Sequence, residues 1–243
     1  MWRPIPIAVT VVMAVAPQPV PAETAFQTAV IYDGKLAMEI PEDWLEIEPL
    51  QLEELSMWAA ETTGGRLVEI YQYGFCPRTF EDAPLLPYIL VQIRESGRLR
   101  EGAFLDLPPL SELQNDTRAA FPQGVPPLVV GVAVDRVAFD RSRHVIRLEH
   151  SLNLRIRGRI TVLTAAFLTE RGFVTLYYAD RERRIDRGRE LFDRIVASVV
   201  LSPEIAYRPR LSDRWPGLPF FLAAAGLAAV LVAFVVRRRR LRS

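Results

Sequence analysis

"HVIRLEHSLNLRIR", residues 144–157, is the stretch that decides the fold of this chain. Apolar and charged residues alternate along it. One face collects His144, Ile146, Leu148, His150, Leu152, Leu154 and Ile156, and the other collects Arg143, Arg147, Glu149, Arg155 and Arg157. A period of two residues is typical of a β-strand, because successive side chains point to opposite sides of a sheet. The stretch therefore predicts a strand with one buried side.

Similar patterns on both sides of this stretch predict an antiparallel meander. The neighbouring strands are VVGVAVDRVAF (129–139), RITVLTAAFL (159–168) and FVTLYYA (173–179), and short turn segments separate them. Further upstream, FQTAVIY (26–32) and LAMEI (36–40) flank the turn residues DGK and predict a hairpin. Two more strands are predicted at 66–75 and 87–95.

Helices are predicted near both ends of this strand-rich region. Pro49 begins the first, whose apolar stripe is Leu52, Leu55, Trp58 and Ala59, and a second is predicted at 110–121. A last helix within 187–201 carries the stripe Leu191, Phe192, Ile195, Val196 and Val199. A sheet in the middle with helices around it predicts an α+β domain, in which helices pack on an antiparallel sheet.

Two packing motifs resemble those of the PsbP-like α/β/α sandwich group. Ile40, Pro41 and Trp44 match its hydrophobic-Pro-x-x-Trp segment. Its terminal F-x-x-I-x-x-S helix is matched by Phe192, Ile195 and Ser198. The resemblance covers most of residues 26–202. It implies an α/β/α sandwich that serves as a binding or assembly module, usually without catalysis.

The two ends of the chain carry targeting signals. Residues 1–22 have the pattern of a signal peptide, with an apolar run too short to span a bilayer and a small-residue cleavage site at Ala22. An uncleaved anchor is the alternative interpretation. The uncharged stretch from Leu218 to Val236 would be roughly 28 Å long as a helix, against about 30 Å for the hydrocarbon core. It is followed by the basic cluster Arg237, Arg238, Arg239, Arg240 and Arg242, which predicts a stop-transfer sequence and a cytoplasmic end.

These signals predict a single-pass protein of the cell membrane, whose main domain is extracytoplasmic, or periplasmic in a Gram-negative cell. The predicted organisation is a signal peptide (1–22), an α+β domain (23–205), a juxtamembrane linker (206–217), a transmembrane helix (218–236) and a basic tail (237–243). The expected partners are the bilayer and another membrane or envelope protein.

Charge and cysteine content argue against a nucleic-acid partner and against an internal disulfide. The chain has 30 basic and 29 acidic residues, but six arginines lie in the terminal segments, so the exported part carries a net charge of about −5. A nucleic-acid partner is therefore not expected. The single cysteine, Cys76, excludes an internal disulfide.

No pattern in the sequence points to catalysis, and we expect neither an enzyme nor a cofactor. The sequence has no G-x-S-x-G, G-x-x-x-x-G-K, H-E-x-x-H or G-x-G-x-x-G motif. His144 and His150 would lie roughly 20 Å apart on one strand, too far to share a metal ion. Cys76 is predicted to be a buried, inert thiol, and a reactive or intermolecularly bridged thiol is the alternative.

Charge is distributed unevenly along the exported domain. Residues 23–62 carry a net charge of −9, and residues 136–194 carry +6. One interpretation is two solvated faces that partly pair with each other. The other is a docking surface for a protein partner, formed by Arg143, Arg147, Arg155 and Arg157, because arginine suits planar recognition of carboxylates. The predicted function is a membrane-anchored binding or assembly module, with an enzyme or small-ligand receptor as the alternative.

Overall fold

The computed structural model describes residues 24–62, 70–78, 86–104, 112, 129–155 and 158–210. Within them the chain forms ten strands and two α-helices, with short 3-10 helices at Glu101–Phe104 and Glu182–Arg184. The strands and helices, in chain order, are β1 (Phe26–Ile31), β2 (Leu36–Pro41), β3 (Trp44–Glu46), α1 (Pro49–Thr62), β4 (Tyr73–Pro77), β5 (Tyr88–Arg94), β6 (Val129–Asp140), β7 (Val145–Leu154), β8 (Gly158–Leu168), β9 (Phe173–Arg181), α2 (Ile185–Ser198) and β10 (Val200–Leu201).

The strands form two antiparallel sheets. The larger has the order β3-β4-β5-β9-β8-β7-β6, and the smaller has the order β1-β2-β10. The meander predicted from residues 129–179 is confirmed, because β6, β7, β8 and β9 are neighbours in sequence and in the sheet. The predicted hairpin is also confirmed, with Val30 opposite Ala37 and Ile31 opposite Leu36. The smaller sheet joins the two ends of the domain, because Leu201 of β10 also lies opposite Leu36.

Helix α2 packs on one face of the large sheet, as its apolar stripe predicts. Phe192, Ile195 and Val196 are buried in a cluster that also contains Leu176 and Tyr178 of β9. The inner side of the β1–β2 hairpin lies in the same cluster. Burial of a large apolar side chain stabilises a fold by roughly 1.5–3 kcal/mol, so this stripe fixes the helix on the sheet.

Helix α1 packs on the opposite face. Leu52 and Leu55 are buried with Leu90 of β5, whereas Ile89 and Val91 of the same strand face the α2 side. Adjacent strand residues point to opposite sides of a sheet, so the two helices lie on different faces. This arrangement confirms the predicted α+β sandwich for the described residues.

A buried ion pair holds the start of α2. Asp180 at the end of β9 is buried, and it accepts hydrogen bonds from Arg184 Nε at 3.0 Å and from the Tyr178 hydroxyl at 3.2 Å. Arg184 also donates to the carbonyl of Leu86 at 3.3 Å. The turn between β9 and α2 is therefore tied to the segment before β5.

The structure differs from the sequence predictions at β4 and at β7. Of the strand predicted at 66–75, residues 66–69 lie outside the described ranges, and the rest is found as β4, which begins at Tyr73 and continues to Pro77, where it pairs with the unpredicted strand β3. Strand β7 is buried on both faces at Val145 and Ser151, so the prediction of one buried side was wrong there. At Val145 the reason is that the α2 core reaches this end of the strand.

Several predictions concern residues outside the described ranges. These are the signal peptide (1–22), the transmembrane helix (218–236), the basic tail (237–243) and the helix at 110–121, of which Glu112 alone is described. In the described part of the chain, no helix combines the length and the apolar character needed to cross a membrane. Residues 206–210, which fall in the predicted linker, are described and contact the domain.

Candidate functional site

An open groove of about 200 Å³ runs beside α2, where the helix leaves part of the large sheet uncovered. The helix forms one wall, the strands β7 and β8 form the floor, and β6 forms the other wall. The groove is lined by Arg136, Ala138, Arg147, Leu148, Glu149, Leu163, Thr164, Arg189, Phe192 and Asp193. Its charged lining thus consists of three arginines and two carboxylates.

Strand register places the charged side chains of the floor and the outer wall. Arg136 of β6 lies opposite Glu149 of β7, and Ala138 lies opposite Arg147. Directly opposite residues share a face of an antiparallel sheet, so all four point toward the side that carries α2. Ala138 contributes only a small side chain to the outer wall beside Arg147.

Ion pairs connect the floor to the helix. The Arg147 guanidinium contacts the carboxylate of Asp193. Arg189 contacts Glu149, and it also donates to Asp186 at 2.5 Å. The hydrogen bond to Glu149 raises the pKa of Arg189, although burial opposes the charged form. These pairs hold two guanidinium groups in fixed positions along the groove.

Arg136 differs from the other two arginines of the groove. Its side chain is exposed, and it makes no ion pair with any residue that the structure describes. The groove therefore has one arginine without an ion pair among the described residues, next to two guanidinium groups that are already oriented. A guanidinium can bind a carboxylate through two parallel hydrogen bonds, so this arrangement suits a carboxylate ligand.

The arginines predicted to form the docking surface are not all equivalent in the structure. Arg143 donates to the carbonyl of Ala197 at 3.2 Å and lies over the Phe167 ring, at 5.8 Å from its centroid. Arg147 lies in the groove. Arg155 is exposed in the turn after β7, and Arg157 lies outside the described residues. The surface proposed from sequence therefore remains a prediction, and the structure assigns only Arg147 of this set to the groove.

The two oppositely charged regions of the sequence meet at one described ion pair. Arg194 Nε lies 3.8 Å from a carboxylate oxygen of Glu39, and its guanidinium lies over the Phe26 ring. The ion pairs of the groove connect residues within 136–194 instead. The positive region therefore neutralises itself more than it neutralises the acidic N-terminal region.

The other candidate residues do not line the groove. His144 lies in the turn before β7, near Glu101 and the Tyr207 ring. His150 is buried, and burial lowers its pKa to about 4. Cys76 is also buried, and burial raises the pKa of its thiol to about 11. Among the residues that the structure describes, no group of three or more potential metal ligands comes together.

Sequence reasoning missed most of the groove. The pairs Arg189–Glu149 and Arg147–Asp193 join residues 40 and 46 positions apart, which no local pattern indicates. The one available signal was local. Asp186, Arg189 and Asp193 recur at spacings of three and four residues and so share a face of the last helix.

Comparison with known proteins gives matches of structure but not of sequence. No protein-family model matches the chain, and no curated protein matches it in sequence. The similar solved structures include the cyanobacterial PsbP protein of Synechocystis sp. PCC 6803, at 13% identity and a TM-score of 0.44, covering 77% of this chain and 98% of that one. A PsbP protein is thus among the structures that this chain resembles.

Two further structures are similar at comparable levels. The Ran-binding protein Mog1p of Saccharomyces cerevisiae has 9% identity and a TM-score of 0.43, with 74% of this chain and 96% of that chain covered. LpqN of Mycobacterium tuberculosis, described as involved in cell envelope biogenesis, has 11% identity and a TM-score of 0.38, with coverages of 74% and 91%.

Proposed function

We propose that this chain is a membrane-anchored extracytoplasmic module that binds another envelope or membrane protein without catalysing a reaction. We further propose that the α2 groove holds an extended acidic segment of that partner. The observation that carries the proposal is the exposed Arg136 guanidinium, which has no ion-pair partner among the described residues and lies beside the ion-paired Arg147 and Arg189.

The geometry of the groove favours an extended segment over a small molecule. The groove is open along the helix, and the pockets that bind small molecules are usually concave and mostly apolar. Its carboxylates, Glu149 and Asp193, are already engaged by arginines of this chain. An incoming carboxylate would contact Arg136 directly. It would also contact the Arg147 guanidinium, which remains ion-paired with Asp193.

The location in this proposal is supported by the sequence. The apolar run before Ala22, the uncharged stretch 218–236 and the arginines that follow it favour export and a single span. Protease added outside the cytoplasm should digest the domain and spare only a small C-terminal fragment. Full protection of the domain would contradict the proposed topology.

Binding is tested with a synthetic acidic peptide and the intact protein in mild detergent. Fluorescence anisotropy should detect binding of a Glu/Asp-rich peptide, and no binding of its Gln/Asn counterpart. Arg136→Glu should weaken binding about tenfold or more, because a hydrogen bond to a charged group contributes roughly 1.5–3 kcal/mol.

The matched control is Arg183→Glu, since Arg183 is also exposed but lies before α2, outside the groove lining. This change should alter the affinity much less than Arg136→Glu does. Equal losses in the two variants would show that general charge attraction, and not the groove, determines binding.

A further inference from the structure

The last described segment, residues 205–210, is bound to one end of the large sheet. The carboxylate of Glu170, in the β8–β9 turn, accepts hydrogen bonds from the Arg208 backbone N–H at 3.0 Å and from Arg98 Nε at 2.9 Å. Its second oxygen accepts from Arg210 at 2.7 Å. Burial opposes ionisation of Glu170, but the hydrogen bonds from Arg208 and Arg98 hold its pKa below the ordinary value.

Tyr207 reinforces this attachment. It is buried, its ring centroid lies 4.9 Å from that of His144, and the Arg98 guanidinium lies 4.6 Å from the centroid of its ring. Its hydroxyl accepts a hydrogen bond from the Glu101 N–H at 3.0 Å. The chain therefore leaves the domain at a fixed place, beside the β6–β7 and β8–β9 turns.

The predicted span begins shortly after this point. Residues 211–217 can extend for at most about 25 Å between Arg210 and Leu218. If the span crosses the bilayer, the end of the sheet that carries Glu170 and Tyr207 must lie close to the membrane surface. This step rests on the membrane anchoring proposed above.

Among the residues that the structure describes, that end of the domain exposes more cations than carboxylates. Its exposed arginines are Arg100, Arg141, Arg171, Arg208 and Arg210, and its exposed carboxylates are Asp33, Glu95 and Glu204. Glu101 and Glu170 are largely covered, with 13% and 19% of their side chains exposed. Basic residues close to a membrane are attracted to anionic headgroups.

We propose that this end of the domain faces the membrane and that its arginines contact the phosphates of anionic lipids. The attachment of residues 205–210 supplies the orientation, and the exposed arginines supply the contact. Together they would hold the α2 groove at a fixed tilt relative to the bilayer, where a tethered partner could reach it.

The orientation is tested with two variants of the full chain, each labelled at one introduced cysteine and reconstituted in phosphatidylcholine vesicles with a nitroxide on the headgroups. Glu204→Cys places a fluorophore at the proposed membrane-facing end, and Arg155→Cys places one in the β7–β8 turn at the other end. Cys76 is buried, so labelling is selective for the new thiol. We expect stronger quenching at residue 204 than at residue 155.

The lipid contact is tested by adding phosphatidylglycerol to the vesicles. Quenching at residue 204 should rise about twofold or more, and this rise should disappear in high salt. Arg100→Glu combined with Arg141→Glu should abolish the rise. Arg155→Glu combined with Arg183→Glu, two exposed arginines at the opposite end, should leave it intact.

The possible failures are distinguishable. A protein that does not insert into vesicles would overturn the anchoring and this inference together. An inserted protein with equal quenching at both labels would overturn the orientation alone. The headgroup contact would be overturned if quenching is stronger at residue 204 but does not respond to phosphatidylglycerol. It would also be overturned if both pairs of charge reversals reduce that response equally.

Discussion

Gly188 of α2 lies so close to Tyr178 of β9 that a Cβ atom at residue 188 would be 2.6 Å from the tyrosine Cε1 atom. The same Cβ would be 2.7 Å from the hydroxyl, which donates to the buried carboxylate of Asp180. The Tyr178 ring cannot move away, because it is buried and its hydroxyl is hydrogen-bonded to Asp180, which Arg184 holds in place. A residue without a side chain is therefore what allows α2 to approach the sheet.

Gly188→Ala should destabilise the domain. Alanine favours helix formation by about 1 kcal/mol over glycine, but overpacking in a core costs about 1–3 kcal/mol, and here the contact is with a ring that cannot move. Thermal unfolding of the intact protein in detergent measures the change. Gly131→Ala is the control, because its nearest contact would be an ordinary 3.4 Å from Asn153 Nδ2. Equal melting temperatures for the two variants would disprove the close approach.

Phe192→Ala should destabilise the domain by about 3–5 kcal/mol, because it leaves a cavity between α2 and the sheet. Phe192 is buried, and its ring centroid lies 6.0 Å from that of Tyr178. Glu190→Ala, an exposed change on the same helix, should have little effect. Denaturant unfolding measures both variants, and a loss below about 1 kcal/mol for Phe192→Ala would mean that α2 does not close the core.

Stability should depend on pH through His150. Burial lowers its pKa from 6.5 to about 4, while nearby Asp135 acts in the opposite direction. Between pH 6.5 and about pH 4, the folded state therefore keeps this side chain neutral, whereas the unfolded chain binds a proton. The stabilising contribution is present above pH 6.5 and is lost as the pH falls toward 4, at up to about 1.4 kcal/mol per pH unit.

His150→Gln should remove this part of the pH dependence. The free energies of unfolding of the wild type and the variant are measured between pH 7 and pH 4. The difference between them should shift in favour of the variant as the pH falls. Parallel curves over this range would show that His150 is not held neutral by burial.

Cys76 should react with thiol reagents only when the domain unfolds. Its side chain is buried, and burial raises the pKa of the thiol to about 11, so neither access nor the thiolate form favours reaction near pH 7. Mass spectrometry after iodoacetamide treatment, with and without denaturant, measures the modified fraction. Stoichiometric modification of the folded protein would support the reactive-thiol interpretation instead.

Much of the fold could be predicted from the sequence, because the relevant patterns are local. The alternation around Ile146 and Leu148 and the stripe of Phe192 and Ile195 depend only on the periods of a strand and a helix. Strand β3 was missed because three residues are too few to show a period. Burial of Val145 was missed because it depends on the core beneath α2, at the end of a strand whose arginines suggested a solvated side.

The candidate site could not be predicted to the same extent. A groove is a gap between elements, and its depth depends on where α2 stops covering the sheet. Arg136 is one charged residue among many in the sequence, and its lack of an ion-pair partner among the described residues becomes visible only when Glu149 is seen to contact Arg189. The positive charge of residues 136–194 indicated the region of the chain that contains the groove, but not which arginine is left without an ion pair.

The pairing of Leu36 with Leu201 has a consequence for the order in which the domain folds. A chain made from its N-terminus presents the β1–β2 hairpin first and β10 after almost all of the described residues. Until then the edge of β2 that faces away from β1 has no strand partner, and the inner side of the hairpin is not yet covered by α2. Folding that waits for such distant contacts is slow and leaves an edge open to aggregation. The smaller sheet is therefore complete only when β10, the last strand of the domain to be made, has reached β2.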